Sequence, residues 1–206
     1  MIRHFRPRRV VEVGSGFSSA LMLDTNELHC DPPMQLTFVD PHPDRLDGLL
    51  RPHDRGAVRL IAAPVQGVAL DLFDALGAGD FLFVDSSHVS APGSDVNHLL
   101  FTALPRLRPG VVVHFHDVFY PFEYPPEWIR EGRAWNELYT LRAFLQYNAA
   151  FEVLLFNSYL GYRHADLIRR QMPLMGVNPG GSLWLRKSAP PPIPGGGPPD
   201  ASPPMS

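Results

Sequence analysis

The sequence predicts an α/β protein built on a doubly wound sheet, and three observations carry that prediction. Short runs rich in Val, Phe and Leu recur along the chain, each bounded by Gly, Pro, Asp or Ser. The runs are near-continuously apolar rather than alternating, as strands covered on both faces must be. Helix-compatible stretches separate them, and strand and helix taking turns is the pattern of a parallel sheet with crossover helices on both sides.

The strands expected in order are 9–16, 35–41, 58–64, 80–87 and 110–118, followed by 151–159 and 182–187. Helices are expected over 18–28, 43–51, 66–77, 93–107 and 133–148. In the last of these, Trp135, Leu138, Leu141 and Leu145 form a stripe read as core packing. The segment "YPFEYPPEW" (120–128) has three prolines in nine residues, too many for regular helix, and reads as an aromatic loop folded over something. One domain is expected over 1–187. From Ser188 the chain is rich in Pro, Gly and Ser with little to bury, which predicts a disordered tail over 188–206.

Composition narrows the function. The chain has 206 residues, 45% apolar and 19% charged, as a globular domain does. Its net charge of −3 suggests no nucleic-acid partner, and "RHFRPRR" (3–9) reads as a solvated leader. The single cysteine, Cys30, rules out an intramolecular disulfide and reads as an exposed loop thiol. No stretch has the length of a membrane span and none resembles a signal peptide, so a soluble cytoplasmic protein is expected.

Two places carry chemistry. In "VVEVGSGFSS", Gly14 and Gly16 fall where the first strand turns into the first helix, letting backbone and free N–H groups approach a ligand. Position 19 is Ser, so the third glycine of the dinucleotide fingerprint is missing. Glu12, just before the turn, suits a positively charged ligand better than a pyrophosphate, and Asp40 ends the second strand where a ribose diol would be bound. The second place joins Asp85, at the carboxyl end of the fourth strand, to "VVVHFHDVF" (111–119). There His114 reads as a packed, hydrogen-bonded structural histidine. His116 and Asp117 read as site residues pointing to opposite sides of the sheet.

The order Glu12-Val13-Gly14-Ser15-Gly16, then Asp40, resembles the class I S-adenosylmethionine-dependent methyltransferases over roughly residues 8–187. That resemblance implies a seven-stranded Rossmann-like sheet, mostly parallel with an antiparallel last strand. It implies S-adenosylmethionine held by Glu12, Gly14, Ser15, Gly16, Ser19, Asp40, Asp85 and Ser86. Relatives generally carry helical residues before the first strand, so a short or missing N-terminal cap is also expected.

Asp85-x-x-His88, Asp95, Pro109-Gly110 and His116-Asp117 are further similar to a bacterial subgroup that O-methylates sugars and small metabolites. Ser86 and Val111 stand where that subgroup carries glycine.

Methyl transfer to oxygen requires the acceptor hydroxyl to lose its proton, and two routes stay open. His116 serves as general base, with Asp117 orienting groups and His88 in reserve. Alternatively Asp85 and Asp117 hold Mg2+, although Val118 stands where metal-using relatives have a further acid or amide. A small-molecule acceptor is expected, and a homodimer is left open. The rival readings are an NAD(P)-dependent oxidoreductase and a non-catalytic S-adenosylmethionine binder.

Overall fold

The computed structural model describes residues 1–189. All seven expected strands are present, the first six a little shorter than their apolar runs and the last as expected: β1 Arg9–Val13, β2 Gln35–Val39, β3 Val58–Ile61, β4 Phe81–Val84, β5 Val112–His116, β6 Phe151–Phe156 and β7 Ser182–Lys187. They form one sheet in the order β3-β2-β1-β4-β5-β7-β6. The first five run parallel, and β7 is antiparallel to both β5 and β6. The chain reverses direction between β1 and β4, the switch point at which open α/β sheets bind ligands.

Side chains alternate between two cores. Val11, Val13, Leu82, Val84, Val113 and Phe115 face one cluster with Leu138 and Leu141, while Val10, Phe38, Phe81, Val112 and Trp184 face the other with Met22 and Leu23. Burial on both faces explains the unbroken apolar runs seen in the sequence. Register is shared across the centre: Val13 lies beside Val39 and Val84, and Val84 beside Phe115. The residues that follow therefore leave the sheet at one level, along one edge.

The helices differ more from expectation. The first site-bearing helix, Phe17–His29, is as read, and the helix over 93–107 contains a π-helical turn at Leu99–Ala103 just before Pro105. Stretches 43–51 and 66–77 hold only single turns, at Asp44–Asp47, Val65–Gly67 and Asp71–Asp74. The leader forms a short helix, Ile2–Phe5. Cys30 follows the helix Phe17–His29 in a loop, as expected, but is half-buried rather than exposed, and that burial pushes its thiol pKa up.

In the proline-rich segment, Pro126–Arg130 is helical after all. Pro126 sits in the first turn, where its missing N–H costs nothing. Three short helices, Asn157–Arg163, Ala165–Gln171 and Pro173–Val177, fill the connection from β6 to β7, the first beginning within the strand expected over 151–159. Ser188 donates its N–H to the Ala150 carbonyl at 2.8 Å. The expected disordered tail lies, beyond Ala189, outside the described residues.

Candidate active site

The turn after β1 is built from the inside out. Gly14 has φ +83°, and a Cβ there would lie 1.8 Å from the Asp85 carbonyl oxygen, so no side chain fits. The close approach is between two strand ends, and not only between backbone and ligand. Glu12 is fully buried beneath this turn. The hydroxyls of Ser18 and Ser19 donate to its two carboxylate oxygens, and the Gly16 N–H donates to Ser19 Oγ at 3.0 Å. Burial pushes the Glu12 carboxyl up to about 7, assisted by the charges of Asp85 and Asp40 and opposed by the two serines. Glu12, Gly16 and Ser19 thus shape the helix start from below rather than line the crevice.

Above them lies a cavity of about 740 Å³ running from Gly14 and Ser15 past Asp40, His42 and Arg45 to Gln66, Asp85, Ser86 and Asp95. Asp40 Oδ2 accepts the Ser15 N–H and hydroxyl, both at 2.8 Å, and Oδ1 accepts the His42 N–H at 2.8 Å. Asp95 accepts the N–H and hydroxyl of Ser87 at 2.7 and 2.6 Å, which orders the loop after β4. The Gln66 amide donates across the far end to the Gly93 carbonyl at 2.8 Å. Volume and lining suit an elongated polar small molecule with apolar parts. Of the residues expected to hold S-adenosylmethionine, Gly14, Ser15, Asp40, Asp85 and Ser86 line this cavity.

Asp85, which lines that cavity, converges with His88 and Asp117, which lie outside its lining. His88 Nε2 stands 3.4 Å from Asp85 Oδ1 and 4.0 Å from Asp117 Oδ2, while Nδ1 lies 2.8 Å from Glu137 Oε2. Its ring lies 4.3 Å from that of Trp135. Burial by itself would lower the His88 pKa, but the bonds to Asp85 and Glu137 outweigh it and push the imidazole up to about 9. Burial raises the Asp117 carboxyl, with His116 and His88 opposing.

The end of β5 corrects one expectation. His116 and Asp117 do not point to opposite sides: His116 Nε2 is 3.4 Å from Asp117 Oδ1. β5 stops at His116 and Asp117 has φ +54°, so strand alternation no longer governs its side chain. The His116 side chain is 44% exposed against 19% for Asp117, which leaves its imidazole open to a substrate. His114 is structural as expected. It stacks on Phe83 at 3.8 Å, bonds Ser182 Oγ through Nε2 at 2.7 Å, and is held well below the ordinary histidine pKa by burial and by His116.

Glu137 escaped the sequence reading, although it precedes Leu141 by four residues and so shares that residue's core-facing side. An acid at such a position was the available signal. Trp135 lies outside the helix Glu137–Leu145, but it packs against the same core as Leu138 and Leu141, as expected, and also on the His88 ring. His42, an exposed residue, also lines the cavity. Among the described residues no group of three or more His, Cys, Asp or Glu side chains is arranged to hold a metal ion. None of the described helices is long and apolar enough to cross a membrane.

A parallel sheet with one reversed strand, a switch-point cavity and acids at the ends of β1, β2 and β4 defines a nucleotide-cofactor enzyme of Rossmann-like type. A family model described as methyltransferase domain matches residues 11–118, just over half of the chain, which belongs to the S-adenosylmethionine-dependent methyltransferases. That match sets the oxidoreductase alternative aside.

An SAH-bound methyltransferase from Podospora anserina superposes with TM-score 0.55 at 19% identity, covering 91% of this chain and 75% of that one. An O-methyltransferase from Bacillus cereus in complex with SAH gives 0.51 at 15% identity, covering 91% and 77%. These likenesses speak to the fold. An uncharacterized protein from Archaeoglobus fulgidus is 42% identical over 77 residues, which are 36% of this chain and 34% of that protein. The matched part is thus about a third of that curated relative's length.

Proposed function

We propose that this chain methylates a hydroxyl of a small metabolite or sugar, taking the methyl from S-adenosylmethionine, with His116 as general base. The observation that supports this best is the end of β5. A half-exposed imidazole stands there beside the Asp117 carboxylate, at the strand edge shared with the cofactor-sized cavity. Bound S-adenosylmethionine supplies an electrophilic sulfonium methyl. The acceptor oxygen forms the new C–O bond as the C–S bond breaks, and its proton passes to His116 Nε2. Asp117 faces the imidazolium that results and stabilises it.

His88 has a different part. Raised to about 9, it keeps its proton at neutral pH and serves as a fixed positive group between Asp85 and Asp117 rather than as the reserve base. The Mg2+ alternative asks those same two carboxylates to hold a cation, and His88 Nε2 stands between them. The acceptor would rest against Trp128, Trp135 and Arg133, whose guanidinium lies 4.3 and 5.1 Å from the two indoles.

The test is a screen of small hydroxylated metabolites with methyl-labelled S-adenosylmethionine, then turnover of the parent and His116→Ala with and without chelator. His116→Ala should lower turnover roughly 10²–10⁴-fold, leave SAH affinity near the parent's, and chelator should change neither. Full activity in the variant together with silencing by chelator would overturn the base assignment in favour of the metal. SAH binding by calorimetry with no acceptor in the panel methylated would favour the non-catalytic binder.

A further inference from the structure

Glu137 is a buried acid that neither the cofactor cavity nor the base mechanism uses. Its side chain is 2% exposed. One oxygen accepts the Ser86 hydroxyl at 2.8 Å, and the other meets His88 Nδ1 at 2.8 Å. The backbone around it is tied to the same loop. The N–H groups of Asn136 and Glu137 both donate to the His88 carbonyl, at 3.0 and 3.1 Å. The Asn136 side chain accepts the Ser90 N–H at 2.5 Å and donates to the Ser90 carbonyl at 3.1 Å. Trp135 closes over the His88 ring from one residue further upstream. Residues 135–137 are therefore fastened to residues 86–90 by six hydrogen bonds and an aromatic contact, although 45 residues and more separate them in sequence.

We infer that Glu137 is a positioning residue of this active site: it fixes the His88 ring so that Nε2, and never Nδ1, faces Asp85 and Asp117. As a carboxylate Glu137 can only accept, so the hydrogen between the two groups sits on Nδ1. This holds for both the neutral and the charged ring, since Nδ1 carries a hydrogen in each. His88 itself has φ +60°, a backbone state a non-glycine residue keeps only when its surroundings impose it. The two N–H groups on its carbonyl and the carboxylate on its ring are those surroundings.

What the ring orientation sets is the distance between the two carboxylates at the methyl-accepting end. With Nε2 turned toward them, Asp85 and Asp117 share one partner; with the ring flipped, both would face a C–H edge and each other. The functional meaning given to those carboxylates rests on the methyltransferase reading above, but the placement of the hydrogen does not.

The measurement is long-range 1H–15N correlation of the histidine rings in the full 23.0 kDa chain, with and without added SAH. His88 is assigned by its loss in His88→Gln. In the parent, His88 Nδ1 should give the shift of a protonated nitrogen throughout the folded pH range. Above about pH 9, where the His88 ring is neutral, Glu137→Leu, which removes the acceptor, should shift that nitrogen toward the average of two exchanging tautomers. Should the leucine variant fail to fold, Glu137→Gln is read in its place. A glutamine has one acceptor oxygen for two donors, so either His88 or Ser86 loses its bond.

Rescue by Glu137→Asp would be incomplete, because the shorter side chain cannot span both partners. Parent-like His88 ring shifts in the folded leucine or glutamine variant would overturn the inference and leave Glu137 as buried filler. Parent chain that shows the fixed tautomer but no SAH-induced shift would instead count against the methyltransferase reading while leaving Glu137's role intact.

Discussion

Strand β4 carries an acid at each end, and the two could hardly differ more in how they are satisfied. Asp80, just before the strand, is buried at 1% exposure. Its carboxylate accepts three backbone N–H groups, from Arg8 at 3.1 Å, Arg9 at 3.0 Å and Gly77 at 2.9 Å, with the Arg9 guanidinium 3.7 Å away. Asp85, just after the strand, has a side chain 37% exposed and meets the imidazole of His88 at 3.4 Å. A carboxylate whose lone pairs are all engaged by its own fold has nothing left to offer a ligand, and acts as a clasp between β1 and β4. A carboxylate left half-engaged at the edge of a cavity is where binding energy is still to be gained.

The contrast breaks most visibly if Asp80 is removed. Asp80→Ala leaves three part-buried N–H groups without an acceptor, and at about 1–3 kcal/mol each, partly relieved by water, a loss of about 2–4 kcal/mol is expected. Urea unfolding of Asp80→Ala beside Asp85→Ala reads it out. The second variant should stay within about 1 kcal/mol of the parent, because removing Asp85 also relieves its repulsion of Glu12 and Asp117. Equal destabilisation by the two would mean that both ends of β4 are structural.

The same contrast bears on what could be read from the sequence. Strands were legible because burial on both faces writes itself as runs such as Val111–Val113 and Phe81–Val84. The turn after β1 was legible because glycine takes the positive φ of Gly14, and the close approach to Asp85, far more readily than other residues do. What could not be read depends on contacts far apart in sequence. Glu137 reaches Ser86 and His88 across about 50 positions, and its spacing to Leu141 marks its core-facing side but not its partners. The orientation of Asp117 depends on a single positive φ, which turned a sound alternation rule at His116 into a wrong expectation one residue later. Likewise, the helices between β6 and β7 are too short for their apolar spacing to repeat.

A second way to sharpen the contrast is pH. Glu12 belongs to the ligand-facing end, and its carboxyl is raised from 4.5 to about 7, chiefly by burial. An acid raised in the folded state stabilises the fold fully below its unfolded pKa, and that contribution is lost as pH rises through the folded value. Between about pH 4.5 and 7 the parent should thus lose up to about 3 kcal/mol relative to Glu12→Gln, which carries no charge at any pH. Melting both proteins from pH 4 to 8.5 tests this: a difference that does not change with pH would mean that Ser18 and Ser19 satisfy the ionised carboxylate completely.

The smallest effect expected concerns the two histidines of β5, which share a face of the strand yet are used differently. His114 is buried, neutral and bonded only through Nε2 to Ser182, with Nδ1 lacking any partner among the described residues. Ser182→Ala would leave the whole ring unbonded, at a cost of about 1–2 kcal/mol. Pairing it with His114→Phe replaces both polar partners by apolar groups of similar shape between Phe83 and Trp184, and should recover most of that loss. SAH affinity, measured by calorimetry on the same variants, should stay at the parent value, because neither residue lines the cavity. A double variant as unstable as Ser182→Ala alone would show that His114 contributes more than packing. Weakened SAH binding would move His114 from the sheet's interior into the site that begins, two residues later, at His116.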